Sequence, residues 1–337
     1  MKFRPITAIT MGDPAGIGPE IVVGTMLDRE IYECCRPFVI GSIDIMKRAA
    51  KVLGKELKFN KISEPEEALY EYGIIDIMET GEYDTDSIVW GEVQKEAGQM
   101  SIDWIMKSIE LGMAGKVDAV STSPIHKRAI KLVGVEEPGH TEIYQHATNS
   151  PYALTMFSCH KLRVFFVSRH MSLIDAVHYA NKEVVLDNIV NIDKELRNVG
   201  IKNPCIAVAG INPHNGDNGL FGREELDELE PAVKAAQERG INAVGPCPAD
   251  SVFHIGKSGK FDAILSMYHD QGHIACKTLD FQKSVTITWG LPFIRSSVDH
   301  GTAFDIAGKG IADCVSLIES TKVVAEYAAK KHEREVK

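Results

Sequence analysis

The chain has 337 residues, of which 44% are hydrophobic and 25% charged, so it can bury one large core or two ordinary ones. Its formal net charge is −10 and no Lys/Arg-rich run occurs, which argues against nucleic acid as a partner. No apolar run approaches the roughly 20 residues that span a bilayer, and no separate apolar signal core precedes the first Gly/Pro loop, so we expect a cytoplasmic protein without a membrane partner.

Short apolar segments alternate with helix-period segments along the chain, which predicts an α/β protein with crossover connections. The strand candidates are rich in Val, Ile or Ala and have little polar alternation, as expected for strands that are covered on both faces. In chain order they are Ile6 to Met11, Val117 to Ser121, Leu162 to Val167, Pro204 to Ala209, Phe261 to Met267 and Ser284 to Thr288.

Helices are predicted where apolar residues recur at spacings of three and four. One runs over 102–113, and Gly115 follows where a left-handed residue would end it. A second runs over 185–196 before Gly200. A third helical face includes Pro231, which lacks a backbone N–H, so we expect a kink or a fresh helix start at that residue.

The glycine- and proline-rich segment MGDPAGIGPE follows the first predicted strand. The order of strand, glycine-rich loop and helix is that of a dinucleotide-phosphate turn, but Gly12, Gly16 and Gly18 do not form the GxGxxG spacing. Two interpretations therefore stay open. The segment is either a tight turn that places Asp13 near a cleft or a loop that contacts a ligand directly.

Three histidines each follow a predicted strand: His170, His214 and His269. In a parallel sheet such loops open at the carboxyl edge, where ligands bind. Three imidazoles that reach one point would hold a divalent cation and leave a coordination position for substrate oxygens. Because a single loop histidine is more often structural, the prediction depends on their shared position. Zinc, magnesium, manganese, cobalt and nickel all stay open as the metal.

Several long motifs carry a resemblance to a known family. They are MGDPAGIGPE, PGHTE, INPHNGDNGLFG, GPCPADSVF, MYHDQGHI and GLPFIRSSVDHGTAFDIAGKG. In order over nearly the whole chain, they resemble the PdxA family, the 4-hydroxythreonine-4-phosphate dehydrogenases of pyridoxal phosphate biosynthesis. The resemblance implies an isocitrate/isopropylmalate dehydrogenase-like fold of two α/β/α domains with a cleft between them. We place the discontinuous first domain at residues 1–127 with 290–337, and the second at 128–289.

The resemblance also implies roles for individual residues. It makes His170, His214 and His269 the metal ligands and puts Asp250 close to the reacting end of the substrate. From these placements we predict Lys277 or Asp250 as the proton-transfer group. The implied substrate contacts are His140, Thr141, Lys277, Thr286 and Arg295. A homodimer with shared active sites is implied as well.

The segment DHGTAFDIAGKG is similar to the adenosine-binding loop of isopropylmalate and isocitrate dehydrogenases, which implies NAD or NADP as the cofactor without a Rossmann fingerprint. The implied cofactor-binding residues are His300, Gly301, Thr302, Ala303 and Asp305.

Together these groups predict an NAD(P)-dependent, metal-dependent dehydrogenase. The main expectation is oxidation and decarboxylation of 4-hydroxy-L-threonine 4-phosphate to 3-amino-2-oxopropyl phosphate. The alternative within the family is a D-threonate or D-erythronate 4-phosphate dehydrogenase, which the motifs INPHNGDNGLFG and YHDQGHI favour. Thr286 and the SRHMSL loop also depart from the usual family pattern, and both changes touch the substrate pocket. A metal-dependent hydrolase or lyase without nicotinamide, and a non-catalytic binding module, are the more remote hypotheses.

Overall fold

The computed structural model describes residues 3–336, which divide into two compact units. The first unit contains residues 3–153 and 291–332, and the second contains residues 154–290 and 333–336. The first boundary follows residue 153 rather than residue 127, because the helices Lys127–Lys131 and His140–Ala147 pack on the long helix Lys95–Met113. Within residues 3–336, no helix combines the length and apolarity that crossing a membrane requires.

The described residues form twelve β-strands. They are β1 (Ile6–Thr10), β2 (Arg36–Ile40), β3 (Lys58–Ile62), β4 (Ile74–Met78), β5 (Ala119–Thr122), β6 (Leu154–Cys159), β7 (Leu162–Phe166), β8 (Ile206–Ala209), β9 (Ala243–Cys247), β10 (Ala263–Ser266), β11 (Val285–Trp289) and β12 (Ile294–Ser297).

The same residues form twelve α-helices. They are α1 (Gly18–Met26), α2 (Arg29–Cys34), α3 (Ile43–Val52), α4 (Lys95–Met113), α5 (Lys127–Lys131), α6 (His140–Ala147), α7 (Leu173–Tyr179), α8 (Lys182–Asn198), α9 (Glu230–Glu238), α10 (Ala249–Gly256), α11 (His269–Leu279) and α12 (Val315–Glu335). Short 3₁₀ segments lie at Pro65–Glu67, Thr85–Ser87 and Pro213–Asp217, and a π-helical turn lies at Glu225–Leu229.

In the first unit, six strands lie in the order β3-β4-β2-β1-β5-β12, and every neighbouring pair is parallel. A parallel sheet has to be covered on both faces, and its central strands are accordingly buried along almost their whole length. Helix α4 buries Trp104 completely in the core of this unit.

In the second unit, the strand order is β11-β6-β7-β10-β8-β9. Strands β7, β10, β8 and β9 are parallel, whereas β6 runs antiparallel to both of its neighbours. Phe157 and Val164 lie in the buried core of this unit. The parallel strands carry their connecting loops to one edge, and this edge bears the histidines considered below.

The predicted α/β class is confirmed, and all six predicted strands are present within two residues of their expected bounds. The predicted helices over 102–113 and 185–196 lie within α4 and α8, and Gly115 and Gly200 have positive φ angles of 67° and 90°. Pro231 lies in the first turn of α9, directly after the π-helical turn. Glu224, Leu229 and Glu230 all have right-handed helical angles, so the helix continues through this junction with a local π-helical turn and does not start afresh there.

Candidate active site

The three predicted metal-binding histidines follow adjacent parallel strands of the second unit. His170 follows β7, His269 begins α11 directly after β10, and His214 follows β8. Because β7, β10 and β8 are neighbours with the same direction, their carboxyl ends lie at one edge of the sheet. The sequence-based expectation that these loops share an edge is therefore met by the strand order.

His170 and His269 lie side by side, with ring centroids 6.2 Å apart. The Nδ1 atom of His269 lies 2.6 Å from the Asp270 carboxylate, which favours the tautomer with its proton on Nδ1. This tautomer leaves the Nε2 lone pair available, which is how a metal-binding imidazole is usually supported by a carboxylate. The chemistry of this pair therefore fits a divalent cation.

The ring of His273, one turn further along α11, stacks on His269 at a centroid distance of 3.8 Å. Its other neighbours are Phe157 and Phe166, at 4.1 and 4.5 Å. Burial among these rings lowers the pKa of His273 to about 4, so the side chain is neutral at physiological pH. The stack restricts the rotation of the His269 ring.

A pocket of about 350 Å³ opens beside this pair of histidines. Its lining residues are Ser168, Arg169, His170, Met171, Leu173, Ala176, Tyr268, His269 and Asp270. The pocket combines two imidazoles, a guanidinium and a carboxylate with apolar walls, which is the composition expected of a site for a small polar ligand.

His214 lies in a different local environment. It is exposed, its ring centroid is 6.5 Å from that of Phe221, and its φ angle is 54°. Within residues 3–336, no three His, Cys, Asp or Glu side chains are close enough together to hold a metal. One chain thus brings together two of the three predicted ligands, and the complete three-histidine site stays a prediction.

The remaining predicted residues of the second unit lie on three different elements. Asp250 is exposed in the first turn of α10, and Lys277 lies in the last turn of α11, with its amine 5.1 Å from the centre of the Phe281 ring. Thr286 is half-buried in β11, where it pairs with Phe157 of β6. Their proposed roles in substrate binding and proton transfer stay predictions.

In the first unit, the predicted substrate contacts His140 and Arg295 meet in one cluster around Tyr144. Arg295, on β12, is 2% exposed and donates to the Thr122 hydroxyl at 2.6 Å. Its guanidinium lies 5.3 Å from the Tyr144 ring centre, and the His140 ring centroid lies 6.5 Å from the same ring. Thr141 follows His140 in the first turn of α6.

Burial changes the ionisation of this cluster. It lowers the pKa of Arg295 to about 10 and raises the pKa of Tyr144 to about 12. Burial and the neighbouring Arg295 charge together hold the pKa of His140 well below its usual value, and its buried Nε2 makes no hydrogen bond to any described residue. The cluster therefore presents a guanidinium beside a neutral imidazole, and both can donate hydrogen bonds to an anion.

The predicted cofactor-binding residues lie in the 300–310 loop of the first unit, and this loop packs on the N-terminal Gly/Pro segment. Ile17 donates its backbone N–H to the Thr302 carbonyl at 3.0 Å. The carboxylate of Glu20, which is 2% exposed, accepts the backbone N–H groups of Gly308 at 2.8 Å and Gly310 at 2.7 Å. The N-terminal segment therefore supports the loop through one backbone hydrogen bond from Ile17 and two hydrogen bonds to the Glu20 side chain.

Asp13 lies in the turn that begins this N-terminal segment. Its Oδ1 accepts the Ala15 N–H at 2.8 Å, whereas its buried Oδ2 has no hydrogen-bond partner among the described residues. Burial raises the pKa of Asp13 to about 6. The segment forms a turn that buries Asp13 completely instead of placing it at an open cleft, and the interpretation as a loop that contacts a ligand stays a prediction.

The sequence reasoning missed His273 and Glu20 as supporting residues. His273 could have been found, because four-residue spacing on one helix places its ring over that of His269. Glu20 gives no comparable signal, since its partners lie 288 and 290 residues further along the chain. Only the packing of the first unit brings these groups together.

Over residues 33–324, the chain matches a family model described as pyridoxal phosphate biosynthetic protein PdxA. A relative from Symbiobacterium thermophilum is 50% identical over 329 residues and covers 98% of each chain. A relative from Halalkalibacterium halodurans is 49% identical over 328 residues, which are 97% of this chain and 98% of the relative. Both carry the name "Putative D-threonate 4-phosphate dehydrogenase". A solved structure of a 4-hydroxythreonine-4-phosphate dehydrogenase from Burkholderia phymatum has a TM-score of 0.87 at 42% identity and covers 96% of this chain and 98% of that one.

Proposed function

The chain belongs to the PdxA family of dehydrogenases, and from this premise we propose that it oxidises and decarboxylates D-threonate 4-phosphate or its epimer D-erythronate 4-phosphate. The observation that carries the choice of substrate is the 49–50% identity to relatives named for D-threonate 4-phosphate, over almost the full length of both chains. The solved 4-hydroxythreonine-4-phosphate dehydrogenase has a lower identity of 42%. This ranking favours a 2-hydroxy acid over a 2-amino acid as the substrate.

We assign the phosphate group of the substrate to the cluster of His140, Thr141 and Arg295. The planar guanidinium of Arg295 can donate two parallel hydrogen bonds to phosphate oxygens. Its burial makes such a contact strong, because few water molecules compete for the same donors. The neutral imidazole of His140 can add a further N–H donor from its buried Nε2 when the proton lies on that atom.

We assign the divalent cation to His170, His214 and His269, and NAD or NADP to His300, Gly301, Thr302, Ala303 and Asp305. When bound, the cation would lower the pKa of the substrate hydroxyl, and the nicotinamide would accept a hydride. The proposal includes a homodimer with shared active sites, as the family resemblance implies. The assignment of the cation is supported within the chain by the placement of His170 beside His269, and by the contact of Asp270 with the Nδ1 atom of His269.

The chain's own residues would then position the substrate and transfer protons. We propose that Lys277 or Asp250 receives the proton of the C3 hydroxyl group during oxidation. Oxidation at C3 converts the substrate to a β-keto acid, and loss of carbon dioxide from this acid leaves dihydroxyacetone phosphate. The same pair of residues can return a proton to the carbon that loses the carboxyl group.

The alternative substrate is 4-hydroxy-L-threonine 4-phosphate, which is favoured by the likeness to the solved 4-hydroxythreonine-4-phosphate dehydrogenase. The two substrate classes differ at C2, where one carries a hydroxyl group and the other an amine. Thr286 bears on this difference, because it presents a hydroxyl group where the family pattern usually has an amide. A hydroxyl side chain can donate to or accept from a C2 hydroxyl group, whereas it can only accept from a C2 ammonium group.

The proposal is tested by following reduced nicotinamide with each of the three phosphorylated acids, with NAD and NADP, and with Co²⁺, Mg²⁺ or Zn²⁺. We expect D-threonate or D-erythronate 4-phosphate to give a kcat/KM at least about tenfold above that of 4-hydroxythreonine 4-phosphate, and a chelator to abolish turnover. His214→Ala should lose activity by about 100-fold or more, because it removes a proposed metal ligand.

The matched control is His146→Ala, which removes an exposed histidine that contacts Glu137 outside the proposed site, and it should retain full activity. Oxidation of 4-hydroxythreonine 4-phosphate alone would contradict the proposed substrate. Full activity of His214→Ala would contradict the metal assignment, and turnover without nicotinamide would favour a hydrolase or lyase.

A further inference from the structure

Glu225, in the second unit, is a fully buried carboxylate at the start of the π-helical turn Glu225–Leu229. Its Oε1 accepts the backbone N–H groups of Ile211 and Asn212, both at 2.7 Å. Its Oε2 accepts the side-chain amide of Asn212 at 2.9 Å. Three hydrogen bonds therefore converge on one buried carboxylate, and all three come from the segment that leads into His214.

The residues that follow this contact have an unusual backbone. Five consecutive residues, 214–218, have positive φ angles of 54°, 55°, 73°, 42° and 55°. Four of them are not glycine, and left-handed conformations are unfavourable for residues with a Cβ atom, although less so for Asn and Asp. Such a run persists only where surrounding contacts determine the backbone.

Two side chains hold the backbone around His214: the Asn215 side-chain amide donates to the Pro246 carbonyl at 2.7 Å, and Glu225 contacts the loop on both sides of His214. Before His214, it fixes the N–H groups of Ile211 and Asn212. After His214, the backbone of Gly216 packs so closely on the carboxylate that a Cβ atom at residue 216 would lie 2.9 Å from Oε2. The 210–218 loop thus folds around the Glu225 carboxylate, and His214 occupies the part of the loop between these two contacts.

We infer that Glu225 is a positioning residue for His214: its buried carboxylate holds the left-handed turn that presents this imidazole for metal binding. The inference rests on the proposed function, in which His214 is a metal ligand. Glu225 itself is assigned no contact with substrate or metal. Its carboxylate is required because charge-assisted hydrogen bonds to backbone N–H groups are stronger than neutral ones.

The neighbouring Glu224 makes a weaker contribution to the same loop. It accepts the Asn212 side-chain amide at 2.6 Å, but it is half-buried and contacts no backbone N–H group of the loop. Because its charge is more accessible to water, each of its contacts contributes less. We therefore assign the positioning role to Glu225.

The test measures binding of Co²⁺ alone, by the visible absorption of the bound ion, in the full-length protein. We compare the wild type with Glu225→Gln and Glu225→Ala. We expect Glu225→Ala to raise the Kd for Co²⁺ by about 10- to 100-fold, the usual range for a residue that orients a metal ligand. Glu225→Gln should have a smaller effect, because it keeps Oε1 but turns an amide donor toward the Asn212 amide.

Two control variants separate positioning from general destabilisation. Glu20→Gln alters a carboxylate that is similarly buried and also accepts two backbone N–H groups, but it lies in the first unit. Glu230→Gln removes an exposed charge five residues after Glu225. Both should leave the Kd for Co²⁺ within about twofold of the wild-type value, even where the unfolding midpoint of Glu20→Gln falls.

Each outcome bears on a different statement. A wild-type protein that binds no Co²⁺ would overturn the proposed metal site and the inference with it. Wild-type binding together with unchanged affinity in folded Glu225→Gln and Glu225→Ala would overturn the inference alone. Equal loss of affinity in Glu225→Gln and Glu20→Gln would also overturn it, because the effect would then follow from buried charge in general.

Discussion

Two loops of the molecule are held by the same device, a buried glutamate that accepts backbone N–H groups. In the first unit Glu20 binds Gly308 and Gly310 of the 300–310 loop, and in the second unit Glu225 binds the 210–218 loop. The loops differ at their left-handed positions. Apart from Ala303 at a φ of 42°, the first loop uses glycine at its left-handed positions, Gly308 and Gly310, with φ angles of 75° and 69°. The second loop has four left-handed residues other than glycine, one His, two Asn and one Asp, around Gly216.

The difference follows from what each loop has to present. Glycine adopts positive φ without a steric cost, so it suits a loop that needs only its backbone close to another element. A loop that presents an imidazole needs a side chain at the turn, and it accepts backbone strain to position it. The comparison predicts that substitutions in the two loops differ in their effect on the free energy of unfolding. An added side chain at Gly308 or Gly310 of the 300–310 loop should cost more than a change of side chain in the 210–218 loop.

The largest effect is expected for Gly308→Ala in the first unit. A Cβ atom at this residue would lie 1.9 Å from the Trp90 ring, which is itself covered by the Arg48 guanidinium at 5.0 Å. The clash adds to the strain of a positive φ angle, so we expect the free energy of unfolding to fall by about 2–4 kcal/mol. Urea unfolding measures the change.

The matched control for Gly308→Ala is Gly54→Ala, which has a similar φ of 64° but no atom within 4 Å of the new Cβ. The free energy of unfolding of Gly54→Ala should fall only by the cost of a positive φ angle for alanine, about 1 kcal/mol. If both substitutions lowered the free energy of unfolding equally, the close approach of Trp90 would not be the reason that residue 308 has to be glycine.

The two regions also differ in how many hydrogen bonds their buried carboxylates accept. Glu225 accepts three hydrogen bonds, whereas Asp13, beside the 300–310 loop, has one buried oxygen without a partner among residues 3–336. The pKa of Asp13 is accordingly raised from 3.8 to about 6. Its contribution to stability is therefore fully present below pH 3.8 and is lost as the pH rises through 6.

Asp13→Asn should therefore raise the free energy of unfolding at pH 8, by up to about 3 kcal/mol, because it removes a buried negative charge. At pH 4 the same change should have little effect, since the buried carboxyl group is already protonated. The measurement is urea unfolding of both proteins at the two pH values. Asp44→Asn, at an exposed carboxylate, should give a small and pH-independent change, and an equal gain for Asp13→Asn at both pH values would refute the role of the buried charge.

The smallest effects are expected at Asn218, the last left-handed residue of the 210–218 loop. Asn218→Gly should leave the free energy of unfolding within about 0.5 kcal/mol of wild type, because Asn tolerates this conformation. Asn218→Val should lower it by about 1–2 kcal/mol, because a β-branched side chain does not. Asn203→Val, at an exposed residue without a positive φ, is the control and should change little. A neutral Asn218→Val would show that residue 218 is not strained.

Local patterns in the sequence predicted several of the buried apolar strands but missed strands β3 and β12, whose sequences lack a continuous apolar run. Apolar strands such as β1 and β8 were found because both faces are buried and the segment is continuously apolar. Strand β3, KFNKI, was missed because it lies at the edge of the sheet and buries only its last residue, Ile62. Strand β12 was missed because Arg295 interrupts its apolar pattern, although its side chain is buried.

The candidate site divides in the same way. The positions of His170, His214 and His269 after three strands follow from the order of apolar runs along the chain, so a single sequence could place them at one edge. The meeting of His140 with Arg295 could not be derived from spacing, because they are 155 residues apart and are joined only by the packing of the first unit. The family resemblance supplied that pair.

The sequence by itself determined where six of the buried strands and two long helices lie, which residues are available at the carboxyl ends of those strands, and which family the motifs resemble. The first two features depend on interactions within a few residues of the chain, such as helical periodicity and glycine caps. The tertiary structure decided that Glu20 reaches Gly308 and that Glu225 closes the 210–218 loop. A buried carboxylate requires donors from whichever backbone lies beside it, and that backbone is defined only once the chain has packed.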